Sequence, residues 1–275
     1  MKPVKTGNGL GRALEVLNQV DDEEVADSLS DLREALQEVE QATARTPTLA
    51  VLGGFSTGKS ALLNALLNEY VLPTDPLPTT ARCCHIQYGT RRNLVLNRTS
   101  GSRELRDIED YRRYGDKSTR DPAELGLADV DGIDVFLPYE PLRTLSFLDT
   151  PGLGEADPDA EQTSQALGDA DAILWCTSAL QAWKGDEVRI WSNRIPADLK
   201  AASILVVTRT DQLNRDEDRA KLRKRIENET KGLFARIVMV GLGESERILK
   251  KGAQLDDAAL ARAGLNELQT AIREV

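Results

Sequence analysis

No part of the chain restricts its fold more than Leu49-Ala50-Val51-Leu52-Gly53-Gly54-Phe55-Ser56-Thr57-Gly58-Lys59-Ser60. A short apolar strand runs into a glycine-bearing loop, and Ala61-Leu62-Leu63-Asn64-Ala65-Leu66-Leu67 continues as a helix with no breaker in it. Gly53, Gly58, Lys59 and Ser60 fit the pattern G-x-x-x-x-G-K-[ST]. Glycines let successive backbone N–H groups turn inward around phosphate oxygens, and the helix N-terminus adds partial positive charge. The lysine then reaches the outer phosphates and the serine hydroxyl ligates Mg²⁺. A glycine turn that happens to precede a helix is the bland alternative. The strand before and the helix after favour a phosphate-binding loop for a nucleotide, with contacts expected from Gly53 through Ala61.

The remaining chain reads as alternating strands and helices. Apolar, β-branched runs stand at Ala172 to Thr177, Ser203 to Thr208 and Arg236 to Val240, with helices expected at Glu187 to Asn193 and Arg215 to Phe234 between them. Another helix is expected near Asp159 to Leu167, and Asp256 to Val275 closes the chain as helix. Such alternation means a mostly parallel sheet covered on both faces. Earlier strands are expected at Ala81 to Tyr88, Asn93 to Thr99, Ile133 to Leu137 and Leu145 to Leu148.

Three other stretches stand apart. Asp21 to Ala44 holds neither Gly nor Pro, and Val25, Leu29, Leu32, Leu36 and Val39 recur at helical spacing, giving a narrow apolar stripe. That stripe either packs on its own domain or awaits a partner. Leu72 to Thr80 carries three prolines and reads as extended and exposed. Between Gly101 and Gly132 lies a polar insert whose centre, Arg103 to Tyr114, is expected to be a helix with a mixed, solvated face carrying Arg103, Arg106, Arg112 and Arg113.

Composition excludes several functions. A formal charge of −10 and a pI near 4.9 over 275 residues argue against broad nucleic-acid binding and make direct docking on anionic lipid doubtful. No apolar run approaches the ~20 residues of a bilayer-spanning helix, and the first residues lack the apolar core of a secretory signal. Three cysteines, two of them adjacent, make neither a disulfide framework nor a zinc pattern, which points to a reducing cytoplasm. His85 is the only histidine, and its pairing with Cys84 on one strand reads as ordinary strand chemistry.

Two later signals choose the nucleotide. Asp149 ends an apolar strand and Gly152 follows in the spacing D-x-x-G, so the carboxylate can hold a Mg²⁺-bound water and the glycine N–H can meet a γ-phosphate. Thr208-Arg209-Thr210-Asp211 stands where an [NT]-K-x-D element binds guanine. Its aspartate accepts from guanine N1–H and N2–H₂, donors adenine lacks. Arginine replaces the usual lysine, and its stem and planar head can cover the base. Asp211 also argues against an ATP-dependent kinase.

These residues resemble the dynamin family, and its bacterial dynamin-like members above all. The likeness rests on G-G-F-S-T-G-K-S with A-L-L-N-A-L-L, on L-P-T-T-A at Leu77 to Ala81, on L-D-T-P-G-L at Leu148 to Leu153, and on T-R-T-D. It implies a P-loop NTPase three-layer sandwich, a dynamin-type GTPase domain over residues 47–275 behind a neck-like helical segment over residues 1–46. It further implies hydrolysis of GTP to GDP and phosphate with Mg²⁺ held by Ser60, Thr80 and Asp149, Thr79 being the competing switch threonine. Catalytic roles fall to Ser56, Lys59, Thr80 and Gly152, and a monovalent cation, K⁺ or Na⁺, is implied near Ser56. Phe55 stands where eukaryotic dynamins carry glutamine, and Leu153 where Ras-like enzymes carry theirs. Val240 to Glu244 occupies the place of a fifth guanine-binding element without its usual serine-containing signature.

The resemblance also implies a nucleotide-dependent homodimer formed through the nucleotide face. The alternative is a slow nucleotide-dependent switch whose protein partner docks on the Asp21–Ala44 helix. The chain ends eleven residues after Gly264, so the expectation is either a minimal relative or a GTPase-domain fragment. Its location is expected to be cytoplasmic, reaching a membrane only peripherally through a partner.

Overall fold

In the computed structural model, residues 45–74, 83–109, 126–153 and 167–275 are described. The expected helices at residues 21–44 and 159–167, the segment holding Thr79 and Thr80, and Arg112 and Arg113 lie wholly or largely outside these residues. Pro47–Val275 forms one compact unit.

Among the described residues nine strands form one sheet in the order β4-β3-β5-β2-β6-β1-β7-β8-β9. They are β1 (Thr48–Gly53), β2 (Cys83–Tyr88), β3 (Asn93–Arg98), β4 (Arg103–Arg106), β5 (Val130–Leu137), β6 (Ser146–Asp149), β7 (Ala172–Ser178), β8 (Ser203–Thr208) and β9 (Arg236–Met239). The half from β6 to β9 is wholly parallel, whereas β2 runs antiparallel to β6, and β3 runs antiparallel to β4 and β5. The described helices are α1 (Lys59–Leu67), α2 (Gly185–Arg194), α3 (Ala197–Ala201), α4 (Asp216–Glu229), α5 (Gly243–Lys250), α6 (Asp257–Arg262) and α7 (Leu265–Glu274).

Alternate residues of the central strands feed two separate cores. Leu49, Val51, Leu174, Cys176, Ile204 and Val206 pack with Leu62 and Leu63 of α1 and with Leu249, Leu265 and Leu268 of α5 and α7. Ala50, Leu52, Ile173, Trp175, Leu205 and Val207 pack with Trp191 of α2, Leu199 of α3 and Ile226 of α4. Strands buried on both faces must be apolar throughout, which is why β1 and β8 read as unbroken runs. Each such leucine or isoleucine contributes about 1.5–3 kcal/mol by leaving water. Trp175, Trp183, Trp191 and Phe234 add edge-on and tilted ring contacts, with centroids 4.2–6.2 Å apart.

The expected helix over residues 103–114 is not found at its start. Arg103–Arg106 instead forms β4, antiparallel to β3, with Leu94 opposite Arg106 and Leu96 opposite Glu104. An open sheet edge offers this polar stretch backbone partners that outweigh its weak helix preference, and Glu104 also reaches Arg98 across the pair. The single closing helix expected from Asp256 is two, because Gly264 turns the chain left-handed (φ 76°) between α6 and α7. His85 is half-buried, with Nε2 3.1 Å from the Ser146 hydroxyl, and burial lowers its pKa. No helix of the described residues is long and apolar enough to cross a membrane.

Candidate nucleotide site

The parallel strands β6, β1, β7 and β8 end along one edge of the sheet, and the loops leaving that edge build the site. From β1 the chain passes through Gly54 to Gly58 into α1, with Ser56 in a left-handed conformation (φ 56°). Lys59 Nζ donates to the carbonyls of Gly53 and Gly54, both at 3.0 Å, and the buried Thr57 hydroxyl donates to Gly54 O at 2.9 Å. The lysine is drawn back over the loop it follows. Burial lowers its pKa, and the Asp149 carboxylate counteracts that. Among the described residues no acceptor meets the N–H groups of Ser56 to Ser60. Unpaired donors clustered at a helix start are an anion site in waiting.

Asp149 ends β6 beside this loop. Its Oδ2 accepts from the Ser60 hydroxyl at 3.2 Å, while Oδ1 is enclosed and has no hydrogen-bond partner among the described residues. Burial pushes its pKa up to about 6, against the pull of Lys59 and Ser60. An orphaned carboxylate oxygen beside a serine hydroxyl is a hard-oxygen donor set, and it fits Mg²⁺. The following D-T-P-G turn presses on the loop after β1. Leu153 N–H donates to Gly53 O at 3.1 Å, and a Cβ on Gly152 would lie 3.0 Å from Phe55 Cα. A side chain there would force the Phe55 backbone to give by a few tenths of an ångström.

The far end of the site is set by β8. The Thr208 hydroxyl, buried, donates to Thr57 O at 2.6 Å, and Arg209, left-handed at φ 58°, donates to Ser56 O at 2.7 Å. These two bonds fasten the T-R-T-D segment to the loop after β1. Asp211 lies in the short turn after β8, where its Oδ2 accepts from Gly243 N–H at 3.2 Å. A Cβ on Gly243 would stand 2.5 Å from that oxygen, so a side chain there would push the carboxylate aside.

One cavity of about 390 Å³ is lined by Phe55, Ser56, Thr57, Gly58, Lys59, Ser60 and Ala61 together with Asp149, Gly152, Thr208, Arg209 and Asp211. All of these were singled out in the sequence. Gly53 and Gly54 lie behind the loop as the acceptors for Lys59. Thr80 lies outside the described residues. Thr74, Gln212, Leu242, Gly243 and Glu246 line the same cavity and carried no sequence signal strong enough to name them as site residues. The glycine pair 241 and 243, in the place of the fifth element, was the available hint. The Ser56 carbonyl, beside the place where a monovalent cation is expected, already accepts from the Arg209 guanidinium.

Comparison with known proteins gives the family. The profile of the Dynamin family matches residues 49–210, more than half of the 275. The chain belongs to the dynamin family. It is similar to Dynamin-like protein 2 of Campylobacter jejuni, at 27% identity over 189 residues covering 68% of this chain and 29% of that protein. It also resembles the bacterial dynamin-like protein of Nostoc punctiforme, at 29% identity over 177 residues, 61% of this chain and 25% of that one. The dynamin-family chain thus spans under a third of the length of these relatives. A solved structure described as an oligomerised bacterial dynamin pair that senses and tethers membranes shares the fold, with a TM-score of 0.64 at 20% identity over 97% of this chain and 40% of that one.

Proposed function

We propose that residues 47–275 bind GTP with Mg²⁺ and hydrolyse it to GDP and phosphate. The observation that carries this reading is the placement of Asp211 in the same cavity as the phosphate loop, braced to it through Thr208 and Arg209. The N–H groups of residues 56–60 take up the phosphate oxygens. Lys59, released from the Gly53 and Gly54 carbonyls, neutralises the charge that grows between the β- and γ-phosphates. The Gly152 N–H meets the γ-phosphate, and Asp211 receives guanine N1–H and N2–H₂. Ser60 and Asp149 would hold Mg²⁺, the latter through water. Bound there, Mg²⁺ supplies charge neutralisation across the outer phosphate oxygens. Thr80, outside the described residues, is proposed to complete the metal shell and the water site. The chemistry is positioning and electrostatics, with no covalent intermediate.

The family and the surface beside the mouth support a second element of the proposal, pairing of two copies across the nucleotide face. Phe55 and Leu180 are 65% and 56% exposed there, apolar area that a partner copy would cover. Gel filtration with a transition-state mimic should show a dimer; a monomer in every nucleotide state removes this element.

The decisive experiment for the site is a nucleotide panel of GTP, ATP and XTP against wild type and Asp211→Asn, read by calorimetry and phosphate release. Wild type should favour GTP, and the variant should shift toward XTP. A wild type that binds ATP as well as GTP would overturn the reading.

A further inference from the structure

The sugar of a nucleotide is held covalently between base and phosphates, so whatever lines the middle of the cavity faces the sugar. Asn64, one turn past Ser60 on α1, accepts from the N–H groups of Val71 and Leu72 at 2.9 and 2.8 Å and donates to Leu72 O at 2.8 Å. That ties the chain after α1 to the phosphate end. Two residues on, the Thr74 hydroxyl donates to Oε1 of Glu246 at 2.6 Å. Glu246 sits three residues past Gly243, the residue that holds Asp211 at the base end. Thr74 and Glu246 both line the cavity, and together they close its wall between the phosphate helix and the base-holding helix.

The carboxylate in that wall is only half engaged. Lys250 Nζ also meets Oε1, at 2.8 Å, while Oε2 has no hydrogen bond among the described residues. Glu246 is 31% exposed; burial alone would raise its pKa, but the bonds from Lys250 and Thr74 hold it below its ordinary value. An ionised carboxylate accepts and cannot donate, so it suits a hydroxyl and repels phosphate. We propose that Glu246 Oε2 accepts a hydroxyl of the ribose, and that the Thr74–Glu246 pair thereby selects ribonucleotides over deoxyribonucleotides. This rests on the guanine-nucleotide reading above and adds to it a specificity-determining residue for the sugar. Without that hydroxyl the carboxylate is left partly desolvated and unmatched, which is how polar sites reject an analogue lacking one donor.

The test is calorimetric titration of the full chain, with Mg²⁺, against GTP, 2′-deoxy-GTP and 3′-deoxy-GTP, in wild type, Glu246→Ala and Thr74→Val. Wild type should bind at least one deoxynucleotide about ten- to a hundredfold more weakly than GTP. In Glu246→Ala that ratio should collapse toward one, and Thr74→Val, which frees the carboxylate from its aim, should give an intermediate ratio. Equal wild-type affinity for all three nucleotides would overturn the proposal without any variant, even if Glu246→Ala does not fold. A Glu246→Ala protein that loses affinity for all three together, with the ratio intact, would also overturn it and leave Glu246 a buttress for Thr74. Wild type that binds GTP without sugar discrimination defeats this inference alone, whereas no guanine-nucleotide binding at all defeats the underlying reading as well.

Discussion

Replacing Gly243 with alanine separates recognition of the base from stability of the fold. The added Cβ would sit 2.5 Å from Asp211 Oδ2, about 0.9 Å short of an ordinary contact of 3.4 Å, so the carboxylate must move by nearly an ångström. The same move lengthens the 3.2 Å bond from Gly243 N–H that aims the carboxylate. Hydrogen bonds to a charged group are worth about 1.5–3 kcal/mol each, and a shift of this size forfeits most of one and part of the other. The expected loss is about 2–4 kcal/mol of guanine-nucleotide affinity, or roughly thirty- to a thousandfold. Gly243 begins α5, where alanine is the better helix former, so thermal stability should hold or rise. Calorimetry with GDP and ADP, beside a thermal melt, reads both quantities. Guanine affinity equal to wild type, or an equal loss for GDP and ADP, would refute the placement of Asp211 as the base reader.

Other expected outcomes follow from the same geometry. Asp149, whose pKa is raised to about 6 from 3.8, contributes stability present below about pH 4 that is lost as pH rises through 6. Asp149→Asn should therefore raise the melting temperature of nucleotide-free protein at pH 8 by the equivalent of up to about 3 kcal/mol, with little change at pH 4, while abolishing Mg²⁺-dependent turnover; a variant no more stable than wild type at pH 8 contradicts the buried-carboxylate account. In Gly152→Ala, the new Cβ meets Phe55 backbone at 3.0 Å, and GTP turnover should fall about tenfold or more with GDP affinity little altered, as stopped-flow phosphate release would show. Thr208→Val removes the hydroxyl donor to Thr57 O and should cost about 1–2 kcal/mol in urea unfolding; an unchanged midpoint would mean the brace is idle. Lys59→Ala should remove turnover and most GTP affinity, and retained turnover would refute the phosphate-site assignment.

Local chemistry made much of this protein legible from its residues alone. The glycine loop, the aspartate at the end of β6 and the T-R-T-D turn each carry their own geometry within a few residues, so spacing sufficed to bring forward Lys59, Ser60, Asp149 and Asp211 as candidates, and the four line one cavity. Strands β1, β7 and β8 were readable because burial on both faces demands unbroken apolar runs. The N-terminal helix and the threonine segment remain expectations, since residues 1–44 and 75–82 are not among those described. Only the tertiary structure decided the rest. Strand β4 exists because β3 offered it an edge, α6 and α7 part where Gly264 turns, and Thr74 meets Glu246 across 172 residues of chain. Nothing in a linear pattern of residue types encodes which distant backbone will come close enough to make glycine compulsory or a carboxylate useful. That is settled when the two cores pack and bring the strand ends to one edge.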